Sequence, residues 1–337
     1  MKVAIVGAGA WGTALAQHVA RRHPVLLWTR DRAQFESLCA SRCNERYLPG
    51  VRLEPRIELA CEIAPLHAWL AQADVSIVIF ATPVAGFEPA LAAIAPGLPE
   101  RCRGLLWLCK GIDPGARRLP HAIAAPWLLS RPGGVLSGPS FAEEVAAGLP
   151  VALTVAGTDP AIEALAIAAC HHGAARIYTS ADLLGVELGG ALKNVMAIAA
   201  GISDGLALGA NARAALITRA LAEMARLGAA LGARPATFTG LTGLGDLVLT
   251  CTGGLSRNRR VGLALAAGQP IEAILPALGH VAEGVHTAPV ARALAHQAGV
   301  EMPLAEAVCA VLEGRTSATD ALRTLLAREP RAEVEYR

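Results

Sequence analysis

The chain has 337 residues, a length that fits one large or two ordinary domains and allows a sizeable buried core. Apolar residues make up 53% and charged residues 17%, and 30 Lys and Arg against 28 Asp and Glu leave a net charge of +2. This composition argues against a disordered chain and against a protein that coats nucleic acid, while a local basic pocket for one phosphate remains compatible with it.

The apolar content raises the question of a membrane protein. The charge-free stretches, such as residues 145 to 158, are broken by Gly and Pro and fall short of a membrane span. Met1 and Lys2 lead directly into an apolar strand and a glycine turn, without a signal-peptide pattern. We therefore expect a soluble, cytoplasmic chain that neither enters a membrane nor binds nucleic acid.

The cysteine and lysine content limits the kinds of functional site that the chain can form. The eight cysteines form no Cys-x-x-Cys pair, so we expect neither a metal site nor a disulfide framework. Only three of the 30 basic residues are lysines, at positions 2, 110 and 193. Where Arg has replaced nearly every Lys, a remaining lysine can indicate a need for a compact ammonium group that loses its proton. Lys110 and Lys193 are therefore candidate functional residues.

Residues 1 to 180 alternate short apolar strands with amphipathic stretches. The predicted strands are Lys2–Val6, Val25–Thr29, Val75–Ala81, Gly104–Cys109, Gly134–Ser137, Val151–Val155 and Arg176–Tyr178. The predicted helices between them begin near Trp11, Arg32, Ala64, Val84 and Pro160. This alternation predicts an α/β N-terminal domain with a mostly parallel, doubly wound sheet.

Long Ala- and Leu-rich stretches replace the strands after residue 180. The predicted helices are Asp182–Ile202, Asn211–Leu231, Arg257–Ala267, Thr287–Ala298 and Pro303–Leu312. Glycine-rich loops are expected at 239–245 and 253–254. We predict an all-α C-terminal domain over residues 181–327, followed by a frayed tail at 328–337.

A glycine motif follows the first predicted strand. Gly7-Ala-Gly-Ala-Trp-Gly12 matches Gly-x-Gly-x-x-Gly at the junction of an apolar strand and a predicted helix. In that context the backbone N–H groups and the positive end of the helix can bind a pyrophosphate. The motif favours a dinucleotide-binding, Rossmann-like domain over an ordinary tight turn.

The end of the second strand bears on the cofactor. Arg30 can pair with the 2′-phosphate of NADPH, whereas Asp31 can accept a hydrogen bond from the ribose 2′-hydroxyl of NADH. We expect NADPH to be favoured, with NADH as the second candidate. In the alternative interpretation, the two residues form an exposed turn.

Three segments of the helical half place polar groups among apolar ones. Lys193 lies on an apolar helix, where it either acts as a general acid or base in a cleft or extends its ammonium group to water. Asp246 follows a glycine-rich turn, on what we expect to be a tight loop. The segment 256–258, Ser-Arg-Asn, suits anion binding at a helix start, although Ser256 and Asn258 are also candidates for helix capping.

A fourth segment, residues 137–144, ends a strand and begins a helix. Ser140 and Glu143 have the spacing of a capping box, so we expect Ser140 to cap this helix.

Together these motifs resemble one family over nearly the whole chain, the bacterial-type NAD(P)-dependent glycerol-3-phosphate dehydrogenases. The matching segments are residues 7–13, 44–49, 109–112, 137–144, 190–195, 243–247 and 253–258. The resemblance implies an NAD(P)H-dependent reduction of dihydroxyacetone phosphate to sn-glycerol 3-phosphate, whose product serves phospholipid synthesis. A homodimer is a reasonable expectation for the apolar helical half.

The resemblance also implies roles for individual residues. Lys193 is the expected general acid or base. The substrate-binding residues are expected to be Lys110, Gly138, Ser140, Lys193, Asp246, Ser256, Arg257 and Asn258. The cofactor-binding residues are expected to be Gly7, Gly9, Ala10, Trp11, Gly12, Arg30, Lys110, Ala142, Arg257, Val281 and Glu283. Ala10 departs from the Ser or Asn that relatives often carry, so we expect a weaker side-chain contact to the pyrophosphate there.

Two other functions fit parts of this pattern. A related two-domain dehydrogenase that acts on a β-hydroxyacid or a sugar acid phosphate also combines a Rossmann half, a helical half and a cleft lysine. A non-catalytic NADPH-binding sensor would keep the glycine motif but would not need Lys110 and Lys193.

Overall fold

The structure, a computed structural model, describes residues 1–279 and 281–329. The predicted frayed tail therefore lies outside the described residues, apart from its first two positions. The strands are β1 (Lys2–Val6), β2 (Val25–Trp28), β3 (Cys43–Asn44), β4 (Leu48–Arg52), β5 (Ile57–Ala60), β6 (Ser76–Phe80), β7 (Cys102–Trp107), β8 (Gly133–Ser137), β9 (Val151–Gly157) and β10 (Ala175–Ser180). The helices of this half are α1 (Ala10–Ala20), α2 (Arg32–Ser41), α3 (Ile63–Ala71), α4 (Phe87–Ile94), α5 (Pro120–Ala124), α6 (Ala142–Ala146) and α7 (Pro160–Cys170).

Eight of these strands form one sheet in the order β10-β9-β8-β7-β6-β1-β2-β5. From β5 to β8 this is the strand order of a doubly wound dinucleotide-binding domain. The neighbouring strands are parallel except for the antiparallel pair β8 and β9. The predicted α/β fold is thus confirmed.

Strands β3, β4 and β5 were not predicted from the sequence. β3 and β4 form a separate two-stranded antiparallel sheet, and β5 adds a parallel edge next to β2. Pro49, Gly50 and Pro55 interrupt this stretch and hide its strand pattern.

The central strands are buried on both faces, as parallel strands covered by helices must be. Ala4 and Val6 of β1 pack with Phe80 and Trp107 in the hydrophobic cluster on one face of the sheet. Val3 and Ile5 point to the cluster on the other face. Because β1, β2, β5, β6, β7 and β8 run the same way, their carboxyl ends and the loops that follow lie at one edge of the sheet.

Helices make up the second half of the described chain. They are α8 (Leu183–Gly205), α9 (Gly209–Ala230), α10 (Pro235–Phe238), α11 (Asp246–Thr252), α12 (Arg257–Ala266), α13 (Ile271–Leu278), α14 (Glu283–Gln297), α15 (Pro303–Leu312) and α16 (Ala318–Leu326). A π-helical turn, Leu241–Gly245, leads directly into α11 in a region where the sequence predicted a loop. The predicted helical domain is confirmed, with four helices more than expected.

Helix α8 forms the centre of this half. By length and composition it is the one helix of the described residues that could cross a membrane, although it contains Glu187 and Lys193 and is therefore not one of the charge-free stretches. In the folded chain, however, 89% of its apolar window is buried. Its Leu192, Val195 and Met196 belong to the core of the helical half. α8 is therefore a core helix, and its N-terminal part faces the carboxyl edge of the sheet.

Candidate active site

The glycine motif forms a tight turn between β1 and α1. Gly7 has φ +114°, a conformation that favours glycine, and a Cβ at Gly12 would lie 2.0 Å from the Gly7 carbonyl oxygen. A Cβ at Gly9 would meet no atom within 4 Å, so the space beyond the loop is open. Gly9 is the N-cap of α1 and forms no side-chain capping bond, which leaves N–H groups of the first turn for an anion. Ala10 and Trp11, both half-buried, occupy that first turn. This geometry fits the pyrophosphate of a dinucleotide.

Two side chains that the sequence analysis did not single out support this loop. Asn44 is buried and donates from Nδ2 to the Ala8 carbonyl oxygen at 2.9 Å and to Thr13 Oγ1 at 2.7 Å. Gln34 Nε2 also donates to the Ala8 oxygen, at 2.6 Å. The Asn44 segment was noticed only as part of the family resemblance. Its burial and bonds, which hold the glycine loop in place, are visible only in the fold.

Arg30 and Asp31 follow β2 but differ in environment. Arg30 is exposed at the start of the loop that follows β2. Asp31 is the N-cap of α2, accepts from the Gln34 backbone N–H at 3.1 Å and lies 3.6 Å from Arg46 Nη1. The Asp31 carboxylate is thus used in the local structure.

Lys110, Lys193 and Asp246 meet at one point. Lys110 Nζ donates to Asp246 Oδ2 at 2.8 Å and to the Gly138 carbonyl oxygen at 2.8 Å. Lys193 Nζ donates to Asp246 Oδ1 at 2.5 Å and to Thr250 Oγ1 at 2.9 Å. Each ammonium group has three N–H donors, so these bonds leave each lysine one further N–H for a ligand oxygen. The ammonium group of Lys193 is buried and paired with Asp246, so it does not extend to water.

Burial and neighbouring charges have opposing effects on the protonation of Lys193 and Asp246. Burial, with a smaller contribution from nearby Lys110, lowers the pKa of Lys193 to about 8, although Asp246 acts in the opposite direction. Burial of Asp246 opposes its ionisation, but the two ammonium groups outweigh burial and hold its pKa below the ordinary value. Lys193 therefore titrates in the range where a lysine can both give and take a proton.

The backbone explains why these side chains converge. Lys110 follows β7 at the carboxyl edge of the sheet, and Lys193 lies in the middle of α8. Asp246 is the first residue of α11, which corrects the prediction of a tight loop: the π-helical turn continues into the helix. Thr250 lies one turn later on the same face. Sequence analysis did not identify Thr250, although the i, i+4 spacing from Asp246 was a usable signal.

A chain of amide hydrogen bonds connects this point to α12 and α14. Asn194 Nδ2 donates to the Lys110 carbonyl oxygen at 2.9 Å, and its Oδ1 accepts from Asn258 Nδ2 at 2.9 Å. Asn258 Oδ1 in turn accepts from the Gly284 backbone N–H at 3.0 Å. Asn258, which the sequence analysis singled out, and Asn194, which it did not, are therefore held in fixed orientations beside Lys193.

The residues of the segment 256–258 have different roles. Ser256 caps α12 by accepting from the Arg259 N–H at 3.2 Å, so its capping interpretation is confirmed. Arg257 is exposed at the first turn of α12, within electrostatic reach of Glu143 and Glu283. Its position at a helix N-terminus suits an anionic group.

The segment after β8 also contacts Lys110. Gly138 is buried and supplies the carbonyl oxygen that Lys110 contacts. Ser140 Oγ donates to the same oxygen at 3.0 Å. The predicted capping box is wrong: α6 begins at Ala142, after Phe141, whose side chain makes no capping bond, so Ser140 lies too early in the chain to cap it.

Val281 and Glu283 close the site from the helical half. Val281 is an exposed apolar side chain, and Glu283 begins α14. Glu283 Oε1 accepts from the Val84 backbone N–H at 3.1 Å, a bond that joins the two halves of the chain. Burial raises the pKa of the Glu283 carboxyl. The contacts of Lys110 with Asp246 and of Glu283 with Val84 thus join the two halves of the chain at the candidate site.

Comparison with known proteins identifies the family. The family model described as the N-terminus of NAD-dependent glycerol-3-phosphate dehydrogenase matches residues 2–163, and the model for the C-terminus matches residues 182–323. The chain belongs to the family of NAD-dependent glycerol-3-phosphate dehydrogenases. It is accordingly an NAD(P)-dependent oxidoreductase that acts on a CH–OH group.

Individual members of the glycerol-3-phosphate dehydrogenase family agree along the whole chain. A glycerol-3-phosphate dehydrogenase [NAD(P)+] from Cupriavidus necator is 55% identical and is covered completely, with 99% of this chain aligned. The crystal structure of glycerol-3-phosphate dehydrogenase from Coxiella burnetii is 40% identical, with a TM-score of 0.89 over 97% of this chain and 99% of that one. The enzyme from Saccharomyces cerevisiae is 25% identical, with a TM-score of 0.80 over 96% and 99% of the two chains.

Membership of the glycerol-3-phosphate dehydrogenase family decides between the functions left open by the sequence. It favours an enzyme over a cofactor sensor, and this family over the β-hydroxyacid dehydrogenases. Within residues 1–279 and 281–329, no group of three or more His, Cys, Asp or Glu side chains is placed to hold a metal ion.

Proposed function

We propose that the enzyme reduces dihydroxyacetone phosphate to sn-glycerol 3-phosphate, reversibly, with Lys193 as general acid and base and with NADPH preferred. The observation that carries this proposal is that Lys193 is held by a hydrogen bond to Asp246 at a buried position, where burial lowers its pKa to about 8. A proton donor with a pKa near the working pH is what the reduction of a ketone requires.

The proton chemistry follows from the hydrogen bonds. A nicotinamide bound in the cleft supplies the hydride that reaches C2 of the substrate. Lys193 donates its remaining N–H to the C2 oxygen and transfers the proton to it, so that the ketone becomes an alcohol. In the reverse direction neutral Lys193 removes the same proton. Lys110 orients the substrate oxygen with its own remaining N–H, and Asp246 holds both ammonium groups in place.

The phosphate end of the substrate needs cationic and N–H donors. Arg257 is exposed at the N-terminus of α12, where the helix dipole favours an anion. Asn258, fixed by Asn194 and Gly284, is the neighbouring donor. These contacts support Arg257 and Asn258 as the phosphate-binding residues.

The two residues Arg30 and Asp31, which follow β2, support the preference for NADPH. Asp31 is occupied as the cap of α2, whereas Arg30 is exposed next to it. An Arg at this place suits a 2′-phosphate.

We also propose a cytoplasmic homodimer whose product serves glycerophospholipid synthesis. The eight cysteines are free thiols, which suits a reducing compartment. The product has the glycerol backbone and phosphate on which glycerophospholipids are built. Light scattering during size-exclusion chromatography tests the dimer by a mass of twice 34.7 kDa.

The deciding experiment follows the loss of reduced-nicotinamide absorbance with dihydroxyacetone phosphate, in parallel with NADPH and NADH, for the wild type and Lys193→Ala. We expect faster oxidation of NADPH, and a loss of turnover in the variant on the order of 10²-fold or more with unchanged cofactor binding. Equal turnover in the variant would contradict the acid and base role. No oxidation of either cofactor by protein that binds nucleotide would contradict the substrate.

A further inference from the structure

A buried carboxylate that the proposed chemistry does not use lies on α8. The side chain of Glu187 is only 1% exposed, and both of its oxygens accept hydrogen bonds. Oε1 accepts from the Trp107 indole N–H at 2.7 Å and from the His121 backbone N–H at 2.9 Å. Oε2 accepts from His121 Nδ1 at 2.6 Å. Glu187 thus binds two elements of the other half of the chain, β7 and α5.

Trp107 and Glu187 lie close in the chain to Lys110 and Lys193, respectively. Trp107 is the last residue of β7, three residues before Lys110, and Glu187 lies on α8, six residues before Lys193. Three residues of extended chain span about 10 Å, and six residues of α-helix rise about 9 Å. The contact between Trp107 and Glu187 therefore lies at a similar distance along both elements from the point where Lys110 and Lys193 meet on Asp246.

Between these two points α8 lies directly against the α/β half. A Cβ added at Gly190 would be 3.0 Å from Ser137 Oγ and 3.5 Å from Lys110 Cγ. The Asn194 side chain donates to the Lys110 carbonyl oxygen. A shift of α8 along β7 would therefore disturb the Lys110 and Lys193 contacts together.

Glu187 does more than fill space at this place. Trp107 is fully buried in the core of the α/β half, where its indole N–H needs an acceptor, and the carboxylate supplies one that is fixed on α8. Burial raises the pKa of the Glu187 carboxyl, and the hydrogen bond to Glu187 raises the pKa of the half-buried His121. Directional hydrogen bonds fix the position of one element on another in a way that apolar contact does not.

We propose that Glu187 is a positioning residue, which sets the register of α8 on β7 so that Lys193 and Lys110 both reach Asp246. It acts through these residues and touches neither substrate nor cofactor. The inference rests on the proposed role of Lys193.

The test compares kcat, the KM values for dihydroxyacetone phosphate and NADPH, and the thermal midpoint among variants. Glu187→Leu removes all three bonds, and we expect kcat to fall about tenfold or more, because misplacement by about 1 Å can cost about 10²-fold. Cofactor KM is expected to stay within about twofold. Glu187→Gln still accepts from Trp107 and can donate to His121 Nδ1, so we expect kcat within about threefold of wild type.

A matched control separates positioning from stability. Glu223 is a second buried carboxylate of the helical half, which accepts from the Leu304 backbone N–H at 2.9 Å. Glu223→Leu is expected to lower the thermal midpoint but to leave kcat within about twofold below that midpoint. Equal losses of kcat in the Glu187→Leu and Glu223→Leu variants would overturn the proposal, since burial alone would then explain both.

Two further variants keep the result interpretable. Trp107→Phe removes only the indole bond and is expected to lower kcat by about twofold to tenfold, which tests the idea even where Glu187→Leu does not fold. Lys193→Ala is assayed alongside. Normal turnover of Lys193→Ala would refute the proposed acid and base role. Loss of turnover in Lys193→Ala, combined with wild-type kcat in Glu187→Leu or in Trp107→Phe, would refute the positioning role alone.

Discussion

Replacing Asp246 with Asn tests the electrostatic basis of the proposed chemistry. Asp246 Oδ1 lies 2.5 Å from Lys193 Nζ, and its negative charge favours the protonated lysine. For charge centres about 4 Å apart, the attraction is about 1 kcal/mol in water and about 4 kcal/mol at an effective dielectric constant of 20. Because 1.36 kcal/mol corresponds to one pH unit, removal of this charge should move the titration of Lys193 to lower pH by about 1 to 3 units. Lys110, no longer neutralised, acts in the same direction.

The assay measures kcat/KM against pH in both directions. Reduction needs the protonated lysine, so its rate falls as the pH rises through the pKa of about 8, whereas oxidation needs the neutral lysine and rises there. In Asp246→Asn both transitions should occur at lower pH. Thr250→Val, which removes a neutral partner 2.9 Å from Lys193 Nζ, should move them less. Transitions that stay near pH 8 in Asp246→Asn, or that move upward, would refute this account of Lys193.

Three other predictions concern separate parts of the molecule. Arg257→Ala should raise the KM for dihydroxyacetone phosphate about tenfold or more and the KM for the cofactor much less. An unchanged substrate KM in steady-state kinetics would contradict a role of Arg257 in phosphate binding. Gly12→Ala should destabilise the fold by about 1–3 kcal/mol, because its Cβ would lie 2.0 Å from the Gly7 oxygen, whereas Gly9→Ala should mainly weaken dinucleotide binding. Denaturant unfolding measures the first effect and cofactor titration the second, and equal behaviour of the two variants would contradict this prediction. His172 stacks on His18, and burial lowers the pKa of His172 to about 4, so the wild type should lose stability as the pH falls from about 6.5 toward 4. The thermal midpoint of His172→Gln should depend less on pH over that range. An equal pH dependence of the two midpoints would count against this role.

Much of the α/β half could be predicted because its signals are local. The central strands are continuous apolar runs, and the turn at Gly7 to Gly12 needs residues that lie next to each other in the chain. The short strand β5 escaped prediction because Gly and Pro surround it and its pairing with β2 comes from a distant part of the chain. Ser140 illustrates the same limit, since a capping spacing of three residues does not show which residue the helix begins at.

The sequence alone was enough to predict the α/β half followed by the helical half, the glycine turn at the first strand and the residues that can carry charge or protons. How these groups act depends on the tertiary structure. Lys110 and Asp246 are 136 positions apart, and Lys193 and Asp246 are 53 apart, yet both pairs form ion pairs. The lowered pKa of Lys193 comes from burial and from charges on other elements, and the register at Glu187 depends on β7 meeting α8. Such properties depend on distances through space, which a sequence fixes only after the chain has folded.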